Sequence, residues 1–332
     1  MDEKKTQRCQ LFVDNNAALY KKYWYKWQGI SSVSSLLLAN GGKRADIEEI
    51  ENARRIIKDN FGIFSNIRGF LELPLASSMV LTKDPKQYLD DVNEIYKEIN
   101  KGTIFHSEFQ LLAAMVMEGQ KDHIDVPETV AKMNEIFKAM EKKHLFLTDR
   151  SDLATATVFA MTGRDTDSLI NEMEDCYKII KKELGFLSGE ESQSAAAILT
   201  LSDKPVEEKC QKFLDIIKEM KKRKMSLTFN DASPVAAELA MIDKPVKDIV
   251  DEVEETFNWL KGKPGFRFLE MGKSSRVTFA MMLTGSDEMI NSAEVNTLTQ
   301  SMLTSIILIE LIILMMIIIS ASASHSSSSS SH

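Results

Sequence analysis

Cysteine is scarce in this chain: Cys9, Cys176 and Cys210 are the three in 332 residues, and they stand far apart. That spacing excludes a disulfide framework and predicts reduced thiols in a core, as expected of a cytoplasmic protein. Also missing are Gly-x-Gly-x-x-Gly, the phosphate-binding Gly-x-x-x-x-Gly-Lys-Ser/Thr, His-Glu-x-x-His and Cys-x-x-Cys. The common nucleotide, phosphate and zinc sites are excluded with them. Histidines do not cluster. His106, His123 and His144 fall singly in joints or turns, and His325 and His332 flank a serine run. The net charge is −8 with no compensating basic stripe, which argues against a general nucleic-acid binder. The first eight residues are charged and no apolar core follows them, so no secretion signal is expected.

What is present is a period. Asp203-Lys204-Pro205-Val206 returns as Asp243-Lys244-Pro245-Val246, about forty residues on. Phe213, Ile217 and Met220 return as Val253, Phe257 and Leu260. Carried backwards, the period lands on Val92, Met133 and Met173, then on Tyr96, Phe137 and Tyr177, then on Ile99, Met140 and Ile180. Five units obey it. A repeat of this length means stacked supersecondary units, none of which buries its apolar face alone.

Within a unit, Cys210, Phe213, Leu214, Ile217 and Met220 share one face of a helix, here helix B. A shorter helix A precedes it, as in Ser194–Leu201 or Val235–Met241. Helix A carries small residues at Ala113 and Ala114, Ala154 and Ala156, Ala195 and Ala196, and Ala236 and Ala237, where neighbouring backbones could approach closely. Asp84-Pro85, Asp203-Lys204-Pro205 and Asp243-Lys244-Pro245 mark the A-to-B joint, with a carboxylate expected to cap helix B and a proline in its first turn. After helix B comes a large apolar plug: Phe64, Phe105, Phe146, Phe186, Leu227 or Phe266. The units run Leu71–Phe105, Phe109–Phe146, Leu153–Phe186, Ser192–Leu227 and Pro234–Phe266. Before them, residues Gln10–Gln28 read as a capping helix ending in aromatics and lysines, and Ser31–Ala39 with Ile47–Lys58 as an irregular first hairpin. Beyond Phe266, Val277–Leu283 starts another helix A, and the pattern is lost from Thr284.

Phe61–Ala76, running into Leu73-Pro74-Leu75-Ala76, resembles the domain-of-unknown-function 4003 family of bacterial proteins. That resemblance extends over nearly the whole chain. It implies a helical protein with no assigned activity and supplies no catalytic residues.

The fold expected is all-α: helical hairpins of about forty residues stacked as a solenoid of the HEAT or tetratricopeptide kind. Residues 1–300 form the repeat domain, 301–319 an apolar C-terminal helix, and 320–332 a disordered Ser-rich tail. Met302–Ile319 is almost unbroken Ile, Leu and Met around Glu310, and neither Lys nor Arg follows Arg276 to fix it in a membrane. Docking on the stack is therefore expected over membrane anchoring. No catalytic, cofactor or metal residues are expected. The acid pairs Asp90-Asp91, Glu190-Glu191, Glu207-Glu208, Asp251-Glu252 and Glu254-Glu255 read as solvated faces or caps. Arg68 and Arg150, each four residues after a plug, read as surface arginines capping a neighbouring unit. The function expected is non-catalytic binding of a protein or peptide on a concave face. Two alternatives stand beside it: an enzyme on a closed ring of hairpins with facing turn carboxylates, and a tail-anchored membrane scaffold.

Overall fold

The computed structural model describes residues 1–24, 28–60, 71–102, 107–143, 148, 152–185, 189–225, 229–267 and 270–292. Among them are fourteen helices and no strand. They are α1 (Glu3–Lys22), α2 (Gln28–Asn40), α3 (Ile47–Asn60), α4 (Glu72–Leu81), α5 (Pro85–Ile99), α6 (Glu108–Glu118) and α7 (Val126–Lys143), followed by α8 (Asp152–Met161), α9 (Thr166–Leu184), α10 (Gly189–Thr200), α11 (Val206–Lys222), α12 (Phe229–Met241), α13 (Val246–Leu260) and α14 (Lys273–Ser292).

The two kinds of helix differ by composition. From α3 onward, the odd-numbered helices before α14 bury one stripe and keep charge on the other face, so they lie outside. Their stripe is the periodic column: Val92, Met133, Met173, Phe213 and Val253 are all fully buried. Even-numbered helices from α4 to α12 are short, rich in small residues and buried over most of their described length. In α6 every residue from Leu111 to Met117 is buried, which places this set inside.

Capping follows register. Asp84 sits directly before Pro85 and accepts hydrogen bonds from the Lys86 and Gln87 amides at 3.1 and 3.0 Å. Asp203 and Asp243 were expected to do the same and do not. A lysine intervenes before the proline, so Pro205 and Pro245 themselves take the cap position and no side chain caps α11 or α13.

Each odd helix packs chiefly on the even helix that follows it: α1 on α2, α3 on α4, and so on to α13 on α14. This shifts the expected hairpin by one helix, because helix B packs against the next helix A more than against its own. Odd neighbours touch in chain order from α1 to α13, and even neighbours touch at α2–α4, α6–α8 and α10–α12–α14. Further differences lie at the ends. The leading helix begins at Glu3 and stops before Tyr23, whose ring is buried and whose hydroxyl donates to Glu51 at 2.6 Å, so no single helix spans 10–28. The last helix runs on through Thr284 and Gly285 to Ser292, which completes a final pair where an unfinished end was expected.

The first pair also meets the last. Lys5 on α1 donates to Glu252 on α13 at 3.2 Å, and Arg8 pairs with Asp287 on α14 at 2.8 Å. The Phe12 ring lies 5.3 Å from Phe266 and 5.4 Å from Phe279, centroid to centroid. Asn40 on α2 donates to Ser286 on α14 at 3.2 Å. An open stack keeps its first and last members apart, so these contacts depart from the solenoid expected.

The closing contact also reuses an internal one. Between α9 and α11, Glu172 receives Arg164 from the preceding joint, eight residues earlier, and Lys209 from the next outer helix. Glu252 likewise receives Lys244, eight residues earlier, at 2.8 Å, and Lys5 from α1. Four residues beyond each lysine stands a buried core residue, Phe213 in one case and Cys9 in the other. Thus the ion pairs that join α1 to α13 repeat those that join α11 to α9. Lys5 is 4% exposed in its side chain and Glu252 27%. Removing the acid strands a buried ammonium, and Glu252→Gln is expected to cost roughly 2–3 kcal/mol, somewhat under a fully buried pair. Urea unfolding measures the cost, and limited proteolysis should show earlier cleavage near α1; unchanged stability would make the seam ornamental.

Candidate functional site

The acid pairs on the outer helices meet basic side chains or solvent. Asp90 and Asp91 pair with Lys86 and Lys121, and Asp251 and Glu254 both pair with Arg223. Glu252 holds the seam, Glu255 pairs with the amino terminus, and Glu207 and Glu208 are exposed. These acids are solvated or stitch neighbouring helices, and none faces another across a pocket. His123 is exposed in its turn. Arg68, Arg150, His106, His144, His325, His332 and the plugs Phe64, Phe105, Phe146, Phe186 and Leu227 lie outside the described residues, as do the side chains of Glu190 and Glu191 and all of Met302–Ile319 and 320–332. Among the described residues no group of His, Cys, Asp and Glu could hold a metal, and no helix is long and apolar enough to cross a membrane.

One acid was not singled out by its sequence. Glu238 lies near the end of α12 inside Val235-Ala-Ala-Glu-Leu-Ala-Met241, flanked by fully buried Ala237 and Leu239. About forty-one residues earlier the matching position is Ala197, and the same step before that gives Ala156. The available signal was this: a carboxylate where other units place a methyl group. Its side chain is 0% exposed, and neither carboxyl oxygen has a hydrogen-bond partner among the described residues. The space for it is made on α14. A β-carbon on Gly285 would stand 2.8 Å from Oε1 of Glu238, closer than real contacts allow. Burial pushes the carboxyl up to about 8, so the acid is mostly protonated at neutral pH.

The neighbourhood ties three inner helices together. Ser286, next to Gly285, donates to the Met282 carbonyl at 2.8 Å and receives the Asn40 amide from α2. Asp287 follows, raised by burial and held by Arg8. Glu238 therefore lies beside the closing contacts. Other buried polar atoms without a partner among the described residues share its placement: the hydroxyls of Ser31, Ser77 and Ser192, Oε1 of Gln193 and Nε of Arg276. They belong to α2, α4, α10 and α14, and none lies on an odd-numbered helix. A buried polar group left unpaired costs about 1–3 kcal/mol, so a native fold concentrates such groups where something satisfies them.

A surface cleft of about 610 Å³ opens where α7 begins and α8 joins α9, lined by Lys132, Glu135, Arg164 and Asp165 among others. Four of its five charged residues are already engaged. Lys132 reaches Glu135 at 3.3 Å, Thr166 donates to Glu135, Arg164 is held by Glu172, and Asp165 caps α9 through the Ser168 amide. The interior is the stronger candidate. The model of DUF4003, described as a protein of unknown function, matches residues 15–311. The chain belongs to the DUF4003 family. No curated protein and no solved structure matches it. The DUF4003 match takes in α2 to α14 whole, and so includes both Glu238 and Gly285.

Proposed function

We propose that this DUF4003 protein is a non-catalytic binding protein: a closed ring of seven helical pairs, repeating at about forty residues, whose inner helices hold a small polar ligand at Glu238. The observation that carries this reading is the Glu238 carboxyl, fully buried with neither oxygen partnered among the described residues. Leaving such a group in an apolar wall costs several kcal/mol unless a partner restores its hydrogen bonds. Closure shapes the choice of ligand. A concave face for a protein or peptide needs ends that stay apart, and here α1 meets α13 and α14. An enclosed site suits a compact molecule.

Closure also favours the enzyme alternative, since catalysis on such a ring would use acids facing a central pocket. That chemistry calls for two carboxylates a few ångströms apart. No hydrogen bond joins Glu238 to a second carboxyl among the described residues, and Asp287 is bound to Arg8. Binding without turnover is the reading supported. Native mass spectrometry of the full chain, purified gently from its expression host, tests it. The wild type should carry a small-molecule adduct that Glu238→Met lacks. Bare masses for both, with a higher melting temperature for the variant, would make the acid a structural burden and end the reading.

A further inference from the structure

Two of the three cysteines are neighbours in space. Cys176 on α9 and Cys210 on α11 are both fully buried, where these adjacent outer helices pack. The Cys210 thiol points its S–H at the Cys176 carbonyl oxygen, 4.0 Å away, which sets the two residues side by side. Cys9 sits apart on α1. Beside the pair is Lys209, its side chain 1% exposed, with its ammonium on Glu172 and 2.9 Å from the Ser202 carbonyl oxygen. A cation held in a dry site, next to two neighbouring cysteines, is more than core packing requires.

We propose that Cys176 and Cys210 form an oxidisable pair, converted by hydrogen peroxide into a disulfide that joins α9 to α11. The roles of the two sulfurs differ. The Cys210 S–H is engaged as a donor to the Cys176 carbonyl, so Cys210 keeps its proton and Cys176 is the attacking thiolate, with Cys210 the resolving thiol. The electrostatics run the same way: the Cys210 side chain is the largest influence lowering Cys176, and Cys210 itself is raised, while the Lys209 charge lowers both thiols. The Cys176 thiolate attacks one peroxide oxygen, the O–O bond breaks, and the departing hydroxide takes a proton to become water. That leaves a sulfenic acid on Cys176. The Cys210 sulfur then attacks the Cys176 sulfur, the S–O bond breaks, and the hydroxide released combines with the Cys210 proton as a second water. Two thiols are oxidised and one peroxide is reduced. Because both sulfurs are buried, peroxide reaches them when the α9–α11 contact opens locally, which makes the reaction slower than at a surface thiol.

The full-length protein, treated with hydrogen peroxide and then alkylated under denaturing conditions, tests this. The expected product has lost two hydrogens, carries a disulfide between the peptides holding Cys176 and Cys210, retains an alkylated Cys9, and melts at a higher temperature than the reduced form. In Cys210→Ser, the sulfenic acid has no resolving partner and should be trapped by dimedone at Cys176. In Cys176→Ser, dimedone should not label Cys210. Full alkylation of all three thiols under peroxide that oxidises the methionines, or oxidation of Cys9 first, would overturn the proposal. Equal dimedone labelling of the two variants would overturn the assignment of roles.

Discussion

Glu238→Gln should flatten the pH dependence of stability and make the protein more stable than wild type in mild alkali, by up to about 5 kcal/mol relative to the difference at pH 4.5. The figure follows from the carboxyl's rise from its ordinary 4.5 to about 8 on folding. Below about pH 4.5 the acid is protonated in both folded and unfolded chains, and adds no pH dependence. As pH rises, the unfolded chain releases the proton while the folded chain keeps it, so stability falls. The fall ends near pH 8, where the folded form ionises as well. Glutamine has almost the same shape and cannot ionise. Glu118 is also raised by burial, to about 7, yet it is present in both proteins and cancels in the comparison. Urea unfolding at pH 5 and pH 8.5 measures the gap between the two proteins. Parallel pH profiles would mean that Glu238 is hydrated or ion-paired in solution. If the interior site is occupied, the variant should gain stability while losing its ligand, the usual exchange at binding sites.

Phe213→Ala should cost about 3 to 5 kcal/mol, because the ring is wholly buried and the pocket it leaves cannot collapse fully. Where the loss appears is as informative as its size. α11 packs on α9, α12 and α13, so amide exchange should quicken in those helices first. A second prediction follows from the seam. Val253→Ala on α13 should loosen α1, more than two hundred residues away in sequence, because Lys5 and Glu252 join them. Uniform quickening over all helices in either variant would show a single cooperative core rather than pairs coupled through neighbours.

Much of this was legible in the sequence. The columns through Val92, Met133, Met173, Phe213 and Val253 gave away the outer helices, because a half-buried helix must repeat its apolar positions. The small residues of helix A marked the interior for the same reason. Three things were not legible. A periodic chain does not say where a unit begins, so the choice between pairing α10 with α11 or α9 with α10 had no local signal. The meeting of the first and last pairs rests on partners such as Lys5 with Glu252, and no pattern within one helix announces a contact at that separation. Glu238 was hidden by a sound general rule: an acid on a helix is nearly always solvated. Only the Gly285 side of the contact, on another helix, shows that this one is not.

The seam between α1 and α13 also has a consequence in time. A chain made from its N-terminus at about 5–20 residues per second exposes α1 for roughly 15 to 50 seconds before Glu252 and Asp287 exist to meet it. An open array could fold unit by unit as it emerged. Here the first helix is made first and finished last, and during that interval Lys5, Arg8 and the Phe12 ring must wait without the partners that later bury them. Newly made protein is therefore most exposed to proteases and misassembly at the end that the ribosome released earliest.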